Sequence, residues 1–119
     1  MKLTQIATDI TSALKEIDDL GKRVFPIVAT EGTAYPYCVY ERSSVTFNDT
    51  KDGDIMGVSY TIRIVSANYT SGLKIADDAI KTLKRMVSSN ANTRYDIQLQ
   101  NVTEEYTEDG FIQTIYITI

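Results

Sequence analysis

With 119 residues, 43% of them hydrophobic and 24% charged, the chain is long enough to enclose one hydrophobic core, and its composition excludes a disordered polypeptide. Its 16 acidic and 12 basic side chains leave a formal net charge of -4, which speaks against a broad nucleic-acid or anionic-membrane footprint, since both need clustered Lys and Arg. No histidine is present and the lone Cys38 cannot close an intramolecular disulfide, so the commonest zinc ligands and nucleophile–base pairs are missing from the outset.

Residues 2 to 20 place Leu3, Ile6, Ile10, Ala13, Leu14 and Ile17 at helical spacing among polar residues, an amphipathic helix rather than a signal peptide or a membrane span. Gly21 stands where a left-handed residue would end that helix. The segment VFPIV at 24 to 28 reads as a short strand, which Pro26 confines to a sheet edge or a bulge. After the loop ATEGTA, a long strand is expected from Pro36 to about Phe47, rich in Tyr, Val, Ser and Thr.

The turn signal NDTKDGD separates it from a cleanly alternating strand with Met56, Val58, Tyr60, Ile62 and Ile64 on one face. A second amphipathic helix follows from about 70 to 87, with Leu73, Ala76, Ile80, Leu83 and Val87 as its apolar stripe and Lys81, Lys84 and Arg85 at its negative end. Strands at 94 to 106, where Tyr95, Ile97 and Leu99 alternate, and at 111 to 119 close the chain around a TEDG hairpin turn at 107 to 110. The expected architecture is α+β, a single domain over 1–119 ordered helix, three strands, helix, two strands. Two helices would cover one face of a mostly antiparallel sheet, and a long β-hairpin would protrude from it.

Candidate sites are few. Cys38 has no histidine to make its thiolate and reads as a buried structural residue. On its strand Tyr37 and Val39 point one way, Cys38 and Tyr40 the other, so this strand assembles no aromatic box. NDTKDGD resembles a calcium loop, but the frame that fits Asn48, Thr50, Asp52 and Gly53 puts Ser59 where the bidentate Glu belongs. It reads as a solvated hairpin tip and, functionally, as an exposed contact arm. Glu104, Glu105, Glu108 and Asp109 sit near a turn among polar residues, where nothing desolvates them for acid–base work. Phosphate-cradling Gly-rich patterns are missing, and the Asn-X-Ser/Thr triplets at Asn48, Asn68 and Asn101 read as chance without a secretion signal. No enzyme activity, cofactor or metal is expected. Oligomer or partner contacts are expected at Asn48, Asp49, Lys51, Asp52 and Asp54 of the hairpin tip, and at Glu104 and Glu105.

The order of elements, with Arg23-Val24-Phe25-Pro26, Pro36-Tyr37-Cys38-Val39-Tyr40 and the helix segment Tyr69 through Ile80, resembles the tail completion, or tail terminator-like, proteins of long-tailed phages and prophages. The motifs are short, but the likeness runs through most of the chain. It implies a non-enzymatic virion protein, assembled in the bacterial host cytoplasm, that forms a ring, typically a hexamer, at the head-proximal end of the tail. Its partners would be further copies of itself, the tail tube protein and a head-tail connector protein, with DNA passing through unbound and no membrane involved. An acidic ring fits that passage. A small-molecule-binding or regulatory α+β module of low oligomeric order is the alternative; it would carry a ligand-sized apolar pocket.

Overall fold

The computed structural model describes residues 3–47, 55–88 and 94–119. Two helices and five strands follow in the order α1 (Leu3–Lys15), β1 (Val24–Pro26), β2 (Tyr37–Phe47), β3 (Ile55–Ser66), α2 (Tyr69–Lys84), β4 (Gln98–Thr107) and β5 (Gly110–Thr118). The strands make one sheet in the spatial order β1-β2-β3-β5-β4. The β1–β2 pair is parallel and the other three are antiparallel. The α+β expectation therefore holds, with β1 as the one parallel exception.

One face of the sheet carries both helices. Ile6, Ile10 and Leu14 of α1 and Ile75, Ala79 and Leu83 of α2 meet Ile62, Ile64 and Ile115 of the central strands in one buried cluster. The alternation expected for β3 is borne out, because Val58, Tyr60, Ile62 and Ile64 are all buried; Met56 lies outside the residues whose side chains are described. Cys38 is fully buried on this same face.

Several boundaries differ from those read in the sequence, each for a local reason. The first helix stops at Lys15, not at 20, and the chain continues through a 3-10 turn at Asp18–Leu20 that tucks Leu20 into the core. Gly21 does adopt the left-handed conformation, φ 55°, but caps that turn. The edge strand ends at Pro26 rather than at 28: the Val28 N–H closes back on the Pro26 carbonyl at 2.6 Å, with Ile27 between them at φ 66°. A β-branched residue at positive φ is strained and needs surrounding structure to hold it there; here its own N–H is tied to the Tyr40 carbonyl at 2.8 Å.

The long second strand begins at Tyr37, one residue after Pro36. The second helix stops at Lys84, three residues short of the expected 87, and its buried face is Gly72, Ile75, Ala76, Ala79 and Leu83. Leu73 and Val87, placed on the apolar stripe by periodicity, are exposed. The helix turns its small residues to the sheet because it lies close: a Cβ at Gly72 would come within 2.6 Å of the Ser66 hydroxyl.

The strand expected from 94 begins only at Gln98. Ahead of it, Arg94 bridges Val87, and the Tyr95 N–H binds the Met86 carbonyl at 3.0 Å, so this segment seals the end of α2 instead of extending the sheet. Along the other axis, β2 and β3 continue to pair at Thr46↔Gly57 and Phe47↔Ile55, beyond the hydrogen bonds between Val58 and Ile119 that end the contact of β3 with the last strand. This is the expected protruding hairpin, and its tip, 48–54, lies outside the described residues.

Candidate interaction surface

The residues with chemical potential are either buried and neutralised or spread along the sheet edges. Burial pushes the Cys38 thiol up to about 12, so it carries no thiolate at neutral pH. Glu104 stands on the exposed strand β4 and accepts from the Tyr69 hydroxyl at 2.8 Å and from Gln113 Nε2 at 3.0 Å. The Gln113 and Tyr69 bonds hold its carboxyl below the usual range, so it stays charged as an acceptor. Glu105 is exposed beside it. Among the described residues no group of three or more Cys, Asp or Glu could hold a metal. Asn48, Asp49, Lys51, Asp52 and Asp54 lie outside the described residues, so Glu104 and Glu105 are the predicted contact positions the structure locates.

Three exposed features were not revealed by periodicity. Strand β4 is exposed at nearly every position and forms one border of the sheet. At its lower end Tyr106 is 71% exposed; its ring lies 4.8 Å from Phe111, which in turn meets Tyr69 edge-on at 5.8 Å. An aromatic cluster left in solvent beside a strand with one unpaired edge is the composition that protein interfaces favour.

At the opposite border β1 covers only Cys38 to Tyr40 of β2, and beyond it β2 has no strand partner on that side among the described residues. Next to this opening the turn after Pro26 presents Ile27 and Val28, 72% and 73% exposed. The helix-free face carries the third feature, a shallow depression of about 530 Å³ bordered by the 27–33 loop, Tyr35, Tyr37, Val39, Arg63, Val65 and Ile112. Arg63 crosses its floor in an ion pair with Glu41 at 2.7 Å, and Tyr35 and Tyr37 stack at 5.9 Å along its rim.

The sequence carried a weak signal for two of these features. Tyr69 and Tyr106 fall outside the core stripes of their elements, and Ile27-Val28 follows an edge-limiting proline. An apolar residue off the buried parity of a short element is the only such trace a sequence holds.

No protein-family model and no curated protein matches the chain. The fold is similar to that of a chain in the solved structure of the virion of a native gene transfer agent particle, with a TM-score of 0.68 at 15% identity, covering 95% of this chain and 94% of that one. At that identity the likeness shows a shared fold.

Proposed function

We propose that this protein is a non-enzymatic, single-domain structural component of a phage-like particle, acting as a tail completion protein. It forms a closed ring, hexameric in the family it resembles, that caps the tail tube and presents a surface for joining the head. The observation that carries this reading is the end-to-end fold likeness to a chain of a gene transfer agent virion. It agrees with the independent resemblance of the Arg23–Pro26 and Pro36–Tyr40 motifs.

The chemistry supports it. The thiol is buried and protonated, while the exposed groups are a strand border, aromatic side chains and carboxylates, a surface suited to protein contacts rather than to turnover. Self, tail tube and head-tail connector are the partners, and the acidic chain lets DNA pass without binding it.

The test is the molar mass of the purified protein by light scattering over a wide concentration range, with and without tail tube protein. Growth to a single closed oligomer of more than two copies is expected, and electron microscopy should show it as a ring. A mass fixed at monomer or dimer under every condition overturns the ring. If that species binds a small molecule at the depression lined by Tyr37, Val39 and Ile112, the binding-module reading replaces it.

A further inference from the structure

The two borders of the sheet are complementary, and we infer that copies join by antiparallel pairing of β4 of one copy with the outer edge of β2, from Arg42 onward, of the next. The inference rests on the ring reading above and names its contact. It follows from strand sense, from backbone parity and from charge.

Strand sense comes from the ladders. β5 is antiparallel to both β3 and β4, and β3 is antiparallel to β2, so β4 runs opposite to β2. A rotation about an axis along the strands keeps every strand's direction. It therefore brings β4 antiparallel to the neighbour's β2, the pairing with the better hydrogen-bond geometry.

Parity comes from the hydrogen bonds. The turn at Glu108 and Asp109 closes on the Thr107↔Gly110 pair, so Thr107, Glu105 and Thr103 bond to β5 while Tyr106, Glu104 and Val102 turn their backbone outward. Consistent with this, the Val102 N–H is taken by the Asn101 side chain and not by the ladder. On β2, the Cys38 N–H binds Arg23 and the Tyr40 carbonyl binds Ile27, so Cys38 and Tyr40 face outward toward β1, and Arg42 is the next residue to do so; a bulge at Ser43 then makes Val45, whose partner Val58 bonds Ile119, the outward residue after it.

The outward residues of both borders also share a face. Arg42 pairs Tyr60, which is in the core, and Glu104 pairs Gln113, whose side chain would lie 3.9 Å from a Cβ at Gly72 of α2. Outward residues of two joined strands sit opposite each other with side chains on one side, so pairing Glu104 with Arg42 keeps the helices of both copies on the same face of a continuous sheet.

Charge selects this pairing over β4 with β4. The strand Gln98–Thr107 holds Glu104 and Glu105 and no cation, whereas Arg42 has no ion-pair partner among the described residues. Within one copy Arg42 lies level with Leu99 through Tyr60 and Ile117, four rows from Glu104. Bringing Glu104 to the neighbour's Arg42 thus shifts each copy by four residues, about 13 Å, across four strands about 4.8 Å apart. The strands then tilt by about 35° from the ring axis, the tilt that closed sheets adopt.

The experiment uses one proline on each border, at an outward N–H where the ladder to the neighbouring strand of the same copy is untouched: Val102→Pro on β4 and Arg42→Pro on β2. Far-UV circular dichroism and thermal melts check folding. Each variant alone is expected to remain a monomer in light scattering, and an equimolar mixture to form a 1:1 dimer that grows no further, since the β4 and β2 borders left over are the two that the substitutions block.

Wild-type-like rings from either variant overturn the inference and leave the ring standing on another surface. Self-association of Arg42→Pro but not of Val102→Pro overturns it in favour of β4–β4 pairing. A wild-type protein that never exceeds a dimer overturns the ring itself. If a proline variant unfolds, Glu104→Arg and Arg42→Glu replace it: each should weaken assembly about fivefold, and the mixture should recover it. Equal assembly by all of them contradicts the contact.

Discussion

Cys38 and Tyr95 show how burial settles the chemistry of a single side chain. Cys38 lies fully inside the core cluster, and desolvation alone raises its thiol from an ordinary 9.0 to about 12. Tyr95, also raised to about 12, owes its shift first to burial and then to the hydrogen bond its hydroxyl gives Asp9 at 2.6 Å. In both cases the folded state holds its proton to higher pH than the unfolded chain does. Stability from these groups is therefore intact below about pH 9 and is lost as the pH rises from there toward 12. Urea titrations at stepped alkaline pH should show the unfolding midpoint falling across that window. Tyr95→Phe should make the fall shallower while lowering stability at neutral pH by about 1.5–3 kcal/mol, because it removes a hydrogen bond to the buried Asp9 side chain, on whose same oxygen Gln5 Nε2 remains at 3.1 Å. An unchanged midpoint up to pH 12 would refute the assignment.

At the scale of elements, the strands were more legible than the helix faces. The alternation in β3 survives on the helix-covered face, where Val58, Tyr60, Ile62 and Ile64 all enter the core cluster; on the other face Thr61 and Val65 are buried as well, because the strand lies between β2 and β5. In α2 the periodicity places the stripe only in part: Ala76 and Leu83 are buried as expected, but Leu73 is exposed, and Gly72, Ile75 and Ala79 complete the buried face. Hydrophobicity ranks Leu above Gly, but close approach of a helix to a sheet selects for small volume. Asn68 at the start of α2 accepts from the Ser71 N–H at 3.1 Å, while Ser66 donates its hydroxyl to the Asn68 carbonyl at 2.7 Å. Gly72→Ala places its methyl 2.6 Å from that hydroxyl and should cost about 1–3 kcal/mol, despite alanine's better helix propensity. The same replacement at exposed Leu73 should cost under about 1 kcal/mol. Thermal melts of the two variants check the contrast, and equal losses would mean that the close approach does not limit packing there.

For the whole molecule, the chain's net charge of -4 and pI near 4.7 bear on the proposed passage of DNA through a ring. Basic side chains are few and partly engaged, as in the ion pairs Arg63–Glu41 and Lys74–Asp19. Double-stranded DNA should not shift in gels with the assembled protein even at about 50 mM salt, where counterion release favours binding most. A salt-dependent shift would contradict passive passage. The amino-acid sequence by itself determined the element types and their order, the restriction of Pro26 to an edge or a bulge and the inertness of Cys38, because each follows from local periodicity, ring constraint or the absence of a base. Only the tertiary structure decided that β5 inserts between β3 and β4, leaving β4 as one border and the upper half of β2 as the other. Which strand ends at a border depends on non-local pairing, and so does the outward parity of Glu104 and Arg42. Alternation within one strand cannot reveal which neighbour its hydrogen bonds will face.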